Sequence, residues 1–262
     1  MNFNSIDFSI TNNIARITLN RPDAGNTLNI ELAKELYKAT NIVSSNTNVK
    51  VLILNGKGKL FCGGGDLKFL LSNEDKVKET LLEMTHYFHG AIARMTRMEA
   101  PVIIGINGTA GGGGFSLAIT GDIIYSVKSA KFTVAYTNAG LSPDGSSTFF
   151  LPRIVGMKRA KELMLTNRIF SAEEALEMNL IDQVLDDQEQ LDQAIEKQAE
   201  IFMKGPKKAY AGVKKLLNIS FDNGLETQMD IEGIKISENA ESLDGVEGLK
   251  AFSEKRKPNF NE

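Results

Sequence analysis

Two clusters of glycine mark places where the backbone itself could do chemistry. Gly63, Gly64 and Gly65 follow a β-rich run that ends at Phe61, and four more glycines, at 111–114, follow a run that ends at Ile106. These three and four residues make seven of the chain's 23 glycines, so a small compositional excess is concentrated at two addresses. Each cluster leads into a segment of helical character, beginning near Asp66 and near Phe115. A glycine turn that enters a helix leaves N–H groups unpaired, with the positive end of the helix dipole behind them. Two such turns brought together could aim their N–H groups at one oxygen and stabilise negative charge developing there. A single glycine-rich turn is a weak signal, more often a tight turn or a close contact. A triphosphate loop is ruled out because neither cluster is followed by Lys-Ser or Lys-Thr. The dinucleotide fingerprint fits poorly, since no Gly-x-Gly-x-x-Gly here opens a βαβ unit with a suitably placed acid.

Other reactive side chains are sparse. Asp144, in Ser142-Pro143-Asp144-Gly145, reads on its own as a turn residue or a helix cap. His86 and His89 stand one helical turn apart, a spacing that could suggest a metal pair. No third ligand accompanies them, so solvated or hydrogen-bonded helix positions are the expectation and no metal site is assigned. Cys62 has no evident histidine partner and fills a small-residue position at a strand end. Phe149 and Phe150 suit the core or an apolar pocket. Lys204, Lys207, Lys208, Lys214 and Lys215 read as a solvated helical face.

The elements that must carry these residues alternate. Strands are expected at 8–10, 14–19, 51–55, 101–106, 122–127 and 131–134, with helices at 30–43, 74–98 and 147–154. Such alternation indicates an α/β architecture. Beyond Ser171 the pattern turns helical, at 172–178, 188–203, 206–217 and 225–238, with a soft boundary near Gly205-Pro206. The expected organisation is therefore a core over 1–205 and a helical region over 206–262. With 262 residues the chain can bury a large core without a disulfide or metal staple. Its 30 basic and 33 acidic residues give a net charge of −3, which argues against a nucleic-acid partner. One cysteine, no long apolar run and no leader-like start favour a reducing, cytoplasmic setting without membrane association.

Read in order along the chain, the motifs resemble one family. Arg21-Pro22-Asp23-Ala24-Gly25-Asn26-Thr27-Leu28 and Phe61-Cys62-Gly63-Gly64-Gly65-Asp66-Leu67 resemble the first two motifs of the enoyl-CoA hydratase/isomerase (crotonase) family. Asn107-Gly108 through Asp122-Ile123, Gly140-Leu141-Ser142-Pro143, Leu151-Pro152-Arg153 and Gly156 are similar to its central motifs. Glu247-Gly248, Ala251-Phe252, Glu254-Lys255-Arg256 and Phe260 resemble its C-terminal signature. The resemblance implies a spiral of repeated ββα units (the ClpP/crotonase-like fold) with a helical C-terminal trimerisation region. It also implies acyl-CoA substrates, with coenzyme A as part of the substrate and no separate cofactor, and self-association to a homotrimer or hexamer.

Carried over position by position, the N–H groups of Gly65 and Gly113 match the oxyanion-hole donors. Ala24, Lys59, Gly63, Gly64 and Leu67 match positions along the CoA channel, and Phe252 and Lys255 match C-terminal positions that contact CoA. Asp66 is expected to cap the following helix or orient the loop rather than do chemistry, and it is counted with Ser116 among the residues around the substrate. The family's two hydratase glutamates fall where this chain has Ser116 and Tyr136, neither a carboxylate. The Ser-Pro-Asp-Gly segment instead resembles Δ3,Δ2-enoyl-CoA isomerase and phenylacetate-pathway isomerase sequences, in which an acid after the proline is the catalytic base. Asp144 is accordingly the expected proton shuttle, with Tyr136 as a hydrogen-bond donor. Hydration of a 2-enoyl thioester, decarboxylation of a carboxyacyl thioester, or CoA binding without catalysis are the alternatives.

Overall fold

The computed structural model describes residues 3–260. The chain opens with a hairpin of β1 (Ile6–Thr11) and β2 (Ile14–Leu19), in antiparallel register from Ile6 opposite Leu19 to Thr11 opposite Ile14. Its two-residue turn, Asn12-Asn13, has φ of 50° and 63°, the left-handed pair that matches strand twist. From there each turn of the chain gives one strand to a large sheet and the next to a small one. β3 (Val51–Gly56), β5 (Val102–Ile106) and β7 (Ile123–Val127) join the large sheet. β4 (Leu60–Cys62), β6 (Thr109–Gly111) and β8 (Lys131–Thr133) join the small one. A last turn reverses the order, with β9 (Phe170–Ser171) on the small sheet and β10 (Gln183–Leu185) on the large. The strand orders are β1-β2-β3-β5-β7-β10 and β4-β6-β8-β9, and from β2 through β10 the large sheet is parallel. Strands of a parallel sheet are covered on both faces, so β3 and β5 carry continuous apolar runs whose residues 51–54 and 102–106 are all buried.

Helices cover the sheets. α1 (Ile30–Ser45) is capped by Asn29, whose side chain accepts from Leu32 N–H. It packs along α3 (Val77–Arg97), with Tyr37 closing on Gly90, where a Cβ would lie 2.6 Å from the ring. The short α2 (Leu67–Leu71) and α4 (Gly113–Ala118) follow the two glycine clusters. α5 (Ser147–Thr166) kinks at Gly156, where φ is 77°. α6 (Ala172–Glu177) leads to β10, and α7 (Gln188–Met203) crosses the large sheet, seating Ile195 against Gly105. Gly205-Pro206 lies in the connector to α8 (Lys207–Ile219), α9 (Leu225–Glu241) and α10 (Leu243–Ser253). Among the described residues no helix is long and apolar enough to cross a membrane.

Several elements differ from the sequence reading. The second glycine cluster follows β6 of the small sheet, not β5, and its helix starts at Gly113 rather than near Phe115. β10 went unread because three residues at a sheet edge carry too little alternation to register. The lysine run is a solvated face only in part, at the exposed Lys204, Lys208 and Lys215. Lys207 and Lys214 are buried, and Lys214 Nζ reaches the carbonyls of Met95 (3.1 Å) and Ala100 (3.0 Å) and Asp122 Oδ2 (2.5 Å). Carbonyls left open where α3 ends attract a cation, and that attraction outweighs solvation here. Burial works against both charges of the pair, pushing the Asp122 carboxyl up and the Lys214 ammonium down, while each holds the other's charge. Lys214→Met is therefore expected to cost about 3 kcal/mol in urea unfolding, the low end for a broken buried pair because Asp122 keeps 30% side-chain exposure.

Candidate active site

The two glycine clusters pack against each other. Gly64 has φ +97°, and a Cβ there would meet the Gly111 carbonyl at 2.8 Å and Gly112 Cα at 3.3 Å. Any side chain at this position would force the two strand ends apart. Leu28 forms an isolated parallel bridge with Gly65: Leu28 N–H donates to the Gly64 carbonyl (2.7 Å) and Asp66 N–H to the Leu28 carbonyl (2.8 Å). In a parallel bridge the residue so flanked turns its own N–H away from the partner strand, so the Gly65 N–H points away from Leu28. Gly113 opens α4, where the first N–H groups have no helical acceptor. Among the described residues neither N–H has a backbone partner, and both glycines line one cavity of about 690 Å³.

The cavity is walled mainly by apolar side chains, including Leu28 and Leu70 and, from α3, Leu81, Leu82, Met84 and Phe88. Tyr136 and Asp144 are among its polar lining residues, with Lys78, Thr85 and Ser142. Two left-handed non-glycine residues, Ala135 (φ 58°) and Ser146 (φ 71°), bracket Tyr136 and Asp144. Such conformations cost of order 1 kcal/mol or more and persist where the surroundings over-determine them. The surroundings here do so: the Asp144 carbonyl accepts from Ser116 Oγ (2.9 Å), Ser147 Oγ (2.9 Å) and Ser147 N–H (3.2 Å).

The Asp144 side chain does not cap α5, whose N-cap position is Ser146 with no side-chain bond. It turns into the cavity, and both oxygens are engaged. Tyr136 Oη donates to Oδ1 at 2.6 Å, and His89 Nε2 lies 3.0 Å from Oδ2. Burial first, and then the Asp144 charge, drive the Tyr136 phenol well above its ordinary range. It remains a donor at any working pH. Ser116 is fully buried behind it, 2.9 Å from its hydroxyl, and is not in the cavity lining. Burial pushes the Cys62 thiol up to about 12, which leaves it protonated and inert.

Gly63, Gly64, Gly65, Leu67, Gly113, Tyr136 and Asp144 thus come together around one space. Asp66 faces elsewhere: Oδ1 caps α2 by accepting from Phe69 N–H (3.1 Å), and Oδ2 pairs with Arg21 (3.2 Å). Ala24 and Lys59 are exposed and outside the lining. Phe252, 87% exposed, and Lys255 sit at the end of α10, also outside it. His89, expected from the sequence as a solvated or hydrogen-bonded helix position, is hydrogen-bonded to Asp144 from just outside the cavity lining. Its spacing from His86 gave no sign of this partner, which is 55 residues away. Among the described residues no group of three His, Cys, Asp or Glu side chains is placed to hold a metal ion.

A mixed spiral of paired strands, with two glycine turns and one carboxylate on a shared apolar cavity, is an enzyme architecture of a known class. A family model described as enoyl-CoA hydratase/isomerase matches residues 9–262. The chain belongs to this family. It is 34% identical, over 94% of each chain, to the 1,2-epoxyphenylacetyl-CoA isomerase of Escherichia coli K12. It is 29% identical, over 99% of each, to the trans-2-decenoyl-acyl-carrier-protein isomerase of Streptococcus mutans. Among solved structures, the enoyl-CoA hydratase of Bacillus anthracis aligns at a TM-score of 0.90 with 31% identity, covering 98% of this chain and 99% of that one. Hydratase and isomerase names both occur among these relatives, so the comparisons establish the family and leave the reaction to the site.

Proposed function

We propose that the protein is an enoyl-CoA isomerase that moves a double bond from the 3- to the 2-position of an acyl thioester. Asp144 takes a proton from C2 and returns it at C4. The dienolate formed between these steps carries its charge on the thioester oxygen, held by the N–H groups of Gly65 and Gly113. Tyr136, donating to Oδ1, fixes the carboxylate. The observation that carries this reading is a single carboxylate facing the cavity, where the positions of the hydratase glutamates hold the mutually bonded Ser116 and Tyr136. One base is enough for a 1,3-proton shift, whereas adding water calls for acid and base on either side of it.

The apolar walls suit an uncharged acyl chain or ring. Ala24, Lys59, Phe252 and Lys255 are assigned to CoA on resemblance alone, Lys255 through charge on phosphate. Exposed Leu217, Leu225, Ile236, Leu243 and Phe252 on and between α8 and α10 support self-association of this region.

Hydration of a 2-enoyl thioester is the second reading. It is favoured by His89, which gives Asp144 a second titratable group. Incubation with 3-enoyl-CoA and, separately, with 2-enoyl-CoA discriminates between the two. Conjugated 2-enoyl thioester formed from the first supports isomerisation. Conversion of the second alone, to 3-hydroxyacyl product, overturns it in favour of hydration.

A further inference from the structure

His89 stands on α3, the helix that also supplies much of the apolar wall, and its ring bridges to the opposite side of the site. Nε2 lies 3.0 Å from Asp144 Oδ2 and 3.2 Å from the Gly145 backbone nitrogen. These two neighbours ask opposite things of the same atom. A protonated Nε2 donates to the carboxylate, and an unprotonated Nε2 accepts from Gly145 N–H. Each state of the ring nitrogen therefore finds a partner without movement. Tyr136 occupies Oδ1 as a fixed donor, which leaves Oδ2 as the oxygen that gains and loses a proton. His86, one turn earlier, packs beside Tyr37 and Tyr87 instead.

We infer that His89 shares the proton that Asp144 removes from substrate, acting through the carboxylate as a positioning residue and proton store. The inference rests on the isomerase reading. As the C2–H bond breaks, its electron pair forms a C1–C2 double bond, the carbonyl pair moves onto the thioester oxygen, and a lone pair of Oδ2 forms the O–H bond. The proton then crosses to Nε2, the O–H bond breaking and an N–H bond forming, to give a carboxylate beside an imidazolium. The reverse transfer reloads Oδ2. The C3–C4 double-bond pair then takes the proton to form C4–H as that O–H bond breaks, the C1–C2 pair moves to C2–C3, and the pair on the thioester oxygen restores the carbonyl. Holding the proton on nitrogen separates its removal from C2 from its return at C4.

The test uses His89→Gln, which can still donate to Oδ2 but cannot take a proton, beside His89→Ala. Both are expected to lower kcat about 10- to 100-fold on 3-enoyl-CoA, at or below the low edge of what a lost acid–base group costs because Asp144 itself remains, with KM nearly unchanged. The His89 side chain is 48% exposed, so added imidazole can reach the space left in the alanine variant and is expected to restore turnover there but not in the glutamine variant. Wild-type kcat in His89→Gln, or no response of His89→Ala to imidazole, overturns the inference. A second readout needs no turnover. The chain has only two histidines, and in nitrogen-15 spectra Asp144→Asn is expected to shift the His89 Nε2 resonance while sparing His86. An unmoved His89 resonance also overturns the inference. A wild-type enzyme inert on 3-enoyl-CoA whose His89 resonance still follows Asp144 places the failure in the isomerase reading.

Discussion

Asp144→Asn is expected to lower isomerase turnover about 1,000-fold, within the range for loss of a positioned acid–base group. The asparagine side chain has the same shape, and its carbonyl oxygen can still accept from Tyr136 where Oδ1 does now. The backbone clamp on residue 144 uses its carbonyl oxygen, held by Ser116 and Ser147, and the substitution leaves it intact. Folding and substrate binding should therefore be retained. The loss should fall equally on kcat and kcat/KM, the sign of a group that acts only in the transition state. A variant that unfolds instead would return Asp144 to the role of a turn residue. Retention of full activity would remove it from the mechanism.

The second large effect is expected from the backbone. Gly65→Pro removes one N–H and should lower kcat about 100- to 1,000-fold, as for loss of a single oxyanion donor. The bridge to Leu28 is built by the Gly64 carbonyl and the Asp66 N–H, so it does not need the group that proline deletes. Gly65→Ala is the control. It keeps the N–H, and a Cβ at this position meets no protein atom within 4 Å, so most of the turnover should survive. If proline and alanine behave alike, the Gly65 N–H is not an oxyanion donor. The choice of residue 65 matters, because Gly113 allows no such clean comparison: a Cβ there falls 2.6 Å from Leu28 Cδ1.

What the sequence revealed of this site depends on how local its causes are. The glycine clusters were legible because the close approach of residues 64 and 111 excludes a Cβ, and that requirement is written in residue type. The large sheet was legible in its buried apolar runs, while β10, three residues at an edge, was not. Asp144 was ambiguous by itself. A turn, a cap and a base demand the same residue, and only the direction of its side chain separates them. Lys214 was misread, and the partner of His89 went unread, for one shared reason. Each is a polar residue on a helix, and each takes its meaning from partners 55 and 92 residues distant. Periodicity says which face of a helix a residue occupies. It cannot say which carboxylate waits opposite.

The central claim is geometric: two glycine N–H groups hold the thioester oxygen while one carboxylate serves both carbons of the proton shift. A crystal structure with a bound, unreactive acyl-CoA tests it most directly. The account predicts the thioester oxygen within about 3 Å of both Gly65 N and Gly113 N, the distance at which such donors act. It also predicts Asp144 Oδ2 against the C2 and C4 face of the acyl chain, with no ordered water between them. A thioester oxygen bound elsewhere, or a water seated between Asp144 and C3 of the chain, would contradict it.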